Sequence, residues 1–177
     1  MKQLLACLLL CTILLAACNN ASDTTVGELS KTIAKPFSDS LKVDTFKVQI
    51  LGDTPDNMHL AFSITSFNGK QIYDIDIKAT DLFKNYIATI DLSKKKNQIE
   101  FLKEEVNRFF DDENFMEPAV DEEDRSDENV PDKLFFNELK KTKLNGFIYR
   151  LGKENKNYIA WSAKEGKVKT YYTCCTK

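Results

Sequence analysis

Hydrophobic and polar residues alternate along several short segments of the chain, and this alternation predicts β-strands. Three such segments lie in the first half of the chain, Val43–Leu51, Met58–Phe67 and Gln71–Lys78. Because successive strand residues point to opposite faces, this pattern buries one face of each strand and leaves the other in water. Asn68 and Gly69, a dipeptide typical of tight hairpin turns, separate the last two segments. The first half is therefore predicted to form an antiparallel meander.

A second group of short strands is predicted near the C-terminus. It comprises Phe147–Leu151, Tyr158–Ala163 and Lys167–Cys174, which are separated by turn-like linkers rich in Gly, Asn, Lys and Glu. We expect these strands to form another antiparallel meander. The pattern alone leaves open whether the two groups of strands join in one sheet.

Helical spacing is clearest between Ser93 and Phe110. Ser93 is predicted to cap this helix, and its apolar residues recur three or four positions apart on one stripe: Ile99, Leu102, Val106 and Phe109. A second, shorter helix is predicted over Asp132–Lys143, with three residues expected to be buried: Leu134, Phe135 and Leu139. Together with the meanders, these helices predict an α+β fold in which antiparallel strands pack against one long and one short helix.

Two segments have weaker patterns. Glu28–Ala34 carries Leu29 and Ile33 four residues apart and is expected to form a turn or two of helix before Pro36. Asp81–Leu92 combines helical spacing with β-branched residues, and we expect its second half to be a strand.

The acidic residues are concentrated in one segment, residues 111–132, which holds eleven carboxylates against Arg125 alone, a charge of −10. A loop is expected there, and the simplest interpretation is that its charges are exposed to water and have no binding role. The alternative is a docking arm for a basic protein partner, in which four consecutive carboxylates attract and select the partner: Asp121, Glu122, Glu123 and Asp124.

Aromatic and basic residues are interleaved in the closing meander. We expect half of the aromatic side chains to be core and half to form a contact surface, with Trp161, Tyr171 and Tyr172 as candidate partner-binding residues. The mixture also suits single-stranded nucleic acid. However, the whole chain has 25 basic and 27 acidic residues, and the leader described next predicts export, so no nucleic-acid partner is expected.

The first residues form a leader: Lys2 precedes an apolar run from Leu4 to Ala17 that is too short to span a membrane. Its end, Leu15-Ala16-Ala17-Cys18, resembles the lipobox of bacterial lipoproteins. The resemblance covers only the leader. It implies removal of the signal peptide (residues 1–17), a diacylglycerol thioether on Cys18, and acylation of the freed amine by a fatty acid such as palmitate.

The resemblance also implies a subcellular localisation. Lipidated Cys18 would hold the protein on a lipid bilayer, and Asn19 in place of Asp favours the outer membrane, with the protein facing the periplasm. Residues 18–27 are then a flexible tether and residues 28–177 a single α+β domain. An ordinary signal peptide or a short anchor is the alternative. After cleavage only Cys174 and Cys175 remain as thiols, and as sequence neighbours they form a relaxed disulfide poorly.

Familiar catalytic and metal-binding arrangements are not recognisable in the chain. His59 is the only histidine, and Asp74 and Asp76 fit the solvated face of a strand. The acidic segment lacks the glycine of a calcium-binding EF-hand loop, and Arg125 occupies a ligand position. We therefore expect no metal and no cofactor.

The expected function follows from the implied localisation in the cell envelope and from the charge of the acidic segment. We expect a noncatalytic, membrane-anchored envelope lipoprotein that binds another macromolecule, of the inhibitor or immunity type by analogy. An enzyme of unrecognised type acting in the cell envelope is the alternative, and it requires a deep pocket near His59 or Asp74. A small-molecule or metal-binding module is a third class.

Overall fold

The fold is an α+β arrangement of two four-stranded antiparallel sheets, as the sequence predicted. A computed structural model describes residues 29–84, 86–152 and 155–174. The first sheet contains β1 (Ser30–Pro36), β2 (Val43–Leu51), β3 (His59–Thr65) and β4 (Gln71–Lys78), in that order. The second contains β5 (Phe115–Met116), β6 (Gly146–Arg150), β7 (Lys156–Ser162) and β8 (Lys167–Cys174), in that order.

Three α-helices accompany the sheets in the described part of the chain: α1 (Ala79–Lys84), α2 (Lys95–Arg108) and α3 (Lys133–Thr142). The long α2 packs against β1 and β2, and α3 packs against β7. None of the described helices has the length and apolarity needed to cross a membrane.

Strand alternation determines the first sheet as predicted. Phe46, Val48 and Ile50 of β2 are buried while the residues between them are more exposed. The β3–β4 hairpin turns at Asn68 and Gly69, and Gly69 has a φ of +84°, a value that glycine adopts readily and residues with a Cβ do not.

One aromatic core cluster joins the two sheets. Phe46 of β2 lies 5.3 Å from Phe147 of β6 and Phe62 of β3 lies 5.2 Å from the same ring, measured between ring centroids. Phe109 and Phe110, directly after α2, pack against these rings. The inner face of the first sheet, the end of α2 and one face of the second sheet therefore share a single core.

The other face of the second sheet is covered by a separate, smaller cluster. Phe135, Phe136 and Leu139 of α3 pack there with Ala160 and Tyr171 of the sheet. The second sheet is thus covered on both faces, and α3 lies on the side away from the first sheet.

Three predictions of secondary structure were wrong. Glu28–Ala34 does not form a helix in its described part, because residues 30–36 pair with β2; Leu29 and Ile33 are four apart and so share a strand face as well as a helix face. Residues 86–90 form turns hydrogen-bonded to Tyr86 and Phe83 rather than a strand. Ser93 does not cap α2: Lys94 occupies that position, and the Ser93 hydroxyl donates to Asp91.

Two further predictions need correction. Leu134 is 78% exposed, whereas Phe136 is buried, because residues 135, 136 and 139 form the stripe of α3 that faces the sheet. The acidic segment is also not loop throughout, since it contains a turn of 3-10 helix over Asp112–Asn114 and the short strand β5.

The leader, Cys18 and the tether lie outside the described residues, as does Cys175, so their predicted roles stay predictions. Cys174 ends β8 and is disulfide-bonded.

Candidate partner-binding surface

The middle of the acidic segment is a fully exposed stretch held between two buried residues. Val120 and Val130 are 1% and 6% exposed and belong to the cluster under α3, whereas every residue from Asp121 to Glu128 is exposed. The two valines anchor the stretch on the outer side of the second sheet because apolar burial there is favourable. We call residues 121–128 the acidic surface.

Backbone hydrogen bonds fix the position of the acidic surface on both sides. The amide of Ala119 donates to the carbonyl of Leu144 at 2.9 Å, and the amide of Thr173 on β8 donates to the carbonyl of Asn129 at 3.1 Å. The surface is therefore attached to the region after α3 at one end and to β8 at the other.

Helix α3 holds the acidic surface from the side with two lysines. Lys140 Nζ donates to the carbonyl oxygens of Glu122, at 2.9 Å, and Asp124. Lys143 Nζ lies 3.1 Å from a carboxylate oxygen of Glu122. These lysines approach the surface mainly through its backbone, which leaves most of its carboxylates available.

Most carboxylates of the acidic surface have no ion-pair partner among the described residues. Of its six acidic side chains only Glu122 is paired, and the unpaired ones are Asp121, Glu123, Asp124, Asp127 and Glu128. Several unpaired like charges on one exposed stretch produce a negative potential, which attracts basic groups and repels acidic ones.

The orientation of α3 is set by its first residues. Asp132 caps the helix by accepting hydrogen bonds from the amides of Leu134 and Phe135 at 2.9 and 3.1 Å. Lys169 of β8 donates to the same carboxylate at 2.7 Å, and this hydrogen bond together with the cap holds the pKa of Asp132 below its usual value. The cap therefore links the start of α3 to the second sheet.

The candidate aromatic residues lie on different faces of the second sheet. Tyr171 is buried and Tyr172 is partly buried, and both belong to the side covered by α3. Trp161 is partly buried against the core that joins the two sheets, on the opposite face. The structure thus brings Tyr171 and Tyr172 next to the acidic surface and places Trp161 away from it.

A cavity of about 280 Å³ lies where the acidic surface meets these tyrosines. We call it the tyrosine cavity. Its walls include three tyrosines, Phe136 and the small apolar residues before the acidic surface, and its charged lining consists of two carboxylates and one guanidinium: Asp124, Asp127 and Arg125.

The tyrosine rings form perpendicular walls of this cavity. The Tyr158 ring meets that of Tyr171 at 78° and that of Tyr172 at 85°, with centroids 6.0 and 5.1 Å apart. Burial raises the pKa of Tyr158 and of Tyr171, so both hydroxyls are protonated at neutral pH. They can act as hydrogen-bonding groups but not as bases.

His59 and two carboxylates of β4 lie on the first sheet, away from the acidic surface. His59 is partly exposed, with Nε2 3.6 Å from a carboxylate oxygen of Asp76, and Asp74 and Asp76 are exposed on β4. In the described ranges, no three His, Cys, Asp or Glu side chains come together in a way that would hold a metal ion.

Sequence reasoning missed part of the surface. Phe136 and Lys140 lie four residues apart on α3, and Lys140 Nζ is 5.7 Å from the centroid of the Phe136 ring. Their four-residue spacing places both on one face of the helix, whereas the burial predicted for Leu134 points to another face. Asp127 and Tyr158 were visible in the sequence, although nothing in it places them together.

The chain matches no family model, no curated protein and no solved structure.

Proposed function

We propose that this protein is a noncatalytic, membrane-anchored lipoprotein of the cell envelope that binds a basic protein through the acidic surface. The proposal combines the address implied by the lipobox at Cys18 with the charge of residues 121–128. An inhibitor or immunity role agrees with both by analogy, because a charged surface speeds the encounter with an oppositely charged partner and disfavours other partners.

The observation that carries the proposal is that the acidic surface is anchored while its charges stay unpaired. The residues that flank it are held by Leu144 and by Thr173 of β8, and its own backbone is held by Lys140, yet five of its six carboxylates lack an ion pair within the described ranges. A surface of this kind loses little conformational freedom when it binds, so more of the electrostatic attraction contributes to affinity.

A lysine-rich peptide provides the test. The full-length protein, purified in non-ionic detergent, is titrated at low salt with a fluorescently labelled decalysine peptide, and binding is followed by fluorescence anisotropy. Neutralising four carboxylates should weaken binding about tenfold, because each removed charge is worth a few tenths of a kcal/mol. The substitutions are Asp121→Asn, Glu122→Gln, Glu123→Gln and Asp124→Asn.

The matched control removes the same number of exposed charges elsewhere. It changes four acidic residues of the first sheet, its β2–β3 loop and α2: Asp56→Asn, Asp74→Asn, Asp76→Asn and Glu100→Gln. Because both variants have the same net charge, only a local effect distinguishes them. Equal weakening in the two variants would count against the proposal, and a large loss of thermal stability in the first would show that the segment is structural instead.

A further inference from the structure

We infer that the tyrosine cavity receives the guanidinium of an arginine from the partner that binds the acidic surface. The inference rests on the proposed function and deepens it, because it names the side chain that is recognised and the place where it is held. Two features of the cavity carry it: aromatic faces and a net negative lining.

Aromatic faces suit a planar cation. Cations are attracted to the negative face of an aromatic ring, and arginine additionally stacks on it through its flat guanidinium. The tyrosine cavity is lined by Tyr158, Tyr171, Tyr172 and Phe136, and the ring of Tyr158 stands nearly perpendicular to those of the other two tyrosines. A cation–π contact of this kind is present beside the cavity, where the ammonium of Lys140 lies over the ring of Phe136.

The charged groups around the cavity favour a guanidinium over a neutral or anionic group. Asp124 and Asp127 line it against the single Arg125, and neither carboxylate forms an ion pair within the described ranges. The hydroxyl of Tyr172 lies 3.4 Å from a carboxylate oxygen of Asp127, so an aromatic wall and an acceptor are adjacent. A guanidinium stacked on the wall can therefore donate its N–H groups to a carboxylate.

The hydroxyl of Tyr171 is buried against the backbone of Gly146, where a Cβ would come within 2.8 Å of it. Tyr171 is 3% exposed and lines the cavity, and its hydroxyl has no hydrogen-bond partner among the described residues. The cavity therefore offers a ligand the ring of Tyr171 and not its hydroxyl.

The size of the cavity indicates a single side chain rather than a free metabolite. At about 280 Å³ it lies at or below the lower end of the range, about 300–1,000 Å³, of pockets that enclose whole small molecules. It also opens beside the exposed acidic surface, so an arginine of a docked protein would reach it while neighbouring basic residues contact the carboxylates.

The test compares two blocked amino acids on the unmodified full-length protein in detergent. N-Acetyl-argininamide and N-acetyl-citrullinamide have nearly the same shape, but only the first carries a positive charge. We expect the arginine probe to shift the tyrosine ring signals in the NMR spectrum and to bind at least about tenfold more tightly than the citrulline probe. Equal binding of the two probes, or no binding of either, would overturn the inference.

A pair of variants locates the binding. Tyr158→Leu removes one aromatic wall and keeps an apolar side chain, and it should weaken the arginine probe about three- to tenfold. Tyr86→Leu changes another partly buried tyrosine, which packs on Phe101 in the core that joins the two sheets and does not line the cavity, and it should leave binding unchanged. Equal effects of the two variants would place the arginine elsewhere and refute the inference.

The outcomes separate this inference from the proposed function. If neutralising the acidic surface weakens decalysine binding but Tyr158→Leu leaves binding of the arginine probe unchanged, the inference fails and the proposed function stands. If the arginine probe requires Tyr158 but peptide binding does not require the acidic surface, the cavity is confirmed as an arginine site and the proposed docking surface fails.

Discussion

Replacing Phe46 with alanine is expected to lower the free energy of unfolding by about 3–5 kcal/mol, a large fraction of the stability of an ordinary domain. Phe46 of the first sheet is fully buried, with its ring centroid 5.4 Å from that of Phe37, directly after β1, and 5.6 and 5.3 Å from those of Phe115 and Phe147 in the second sheet. Truncation leaves a cavity at the point where the two sheets meet, so neither sheet can close it alone.

Urea denaturation monitored by the fluorescence of Trp161, the only tryptophan, measures this loss. Leu134→Ala is the matched control, since it truncates a residue that the sequence predicts to be buried but that is 78% exposed. Its cost should stay within about 0.5 kcal/mol. A cost for Leu134→Ala equal to that of Phe46→Ala would contradict the described orientation of α3.

Replacing Cys18 with alanine is expected to release the protein from membranes completely. The expected anchor consists of two or three acyl chains, each CH₂ of which contributes about 0.8 kcal/mol when buried in lipid. Without the thiol no diacylglycerol can be attached, and the apolar leader is too short to replace it as a stable membrane span.

Cell fractionation with metabolic labelling by a radioactive fatty acid tests this expectation. Cys18→Ala should lose both the label and the sedimentation with membranes. Cys11→Ala is the control, because Cys11 would leave with the signal peptide and its loss should change neither readout. Unchanged membrane association of Cys18→Ala would refute the lipid anchor and, with it, the proposed address.

The strands with strong alternation were predictable from the sequence because their burial pattern is local. β2 and β4 have the predicted boundaries, and the turn at Gly69 follows from its dipeptide. β1 was not predictable in this way, since the spacing of Leu29 and Ile33 satisfies a helix and a strand equally, and only the edge of β2 decides between them.

The residues of the candidate surface were predictable from the sequence, but their proximity in the fold was not. The carboxylates of residues 121–124 and the tyrosines of the closing meander were both recognised, but as alternatives. Their proximity depends on long-range contacts, such as the hydrogen bond from Thr173 to Asn129, which no local pattern encodes. The separation of Trp161 from the cavity likewise depends on which face of the second sheet α3 covers.

The order of strands within each sheet has a consequence for folding. In both sheets every strand pairs with its neighbour in the chain, so most pairings close short loops and the entropic cost of forming them is small. The exception is the β5–β6 pair, whose strands are separated by the rest of the acidic segment and by α3. Closing this longer loop costs more entropy, so β5 is expected to be the last strand to dock.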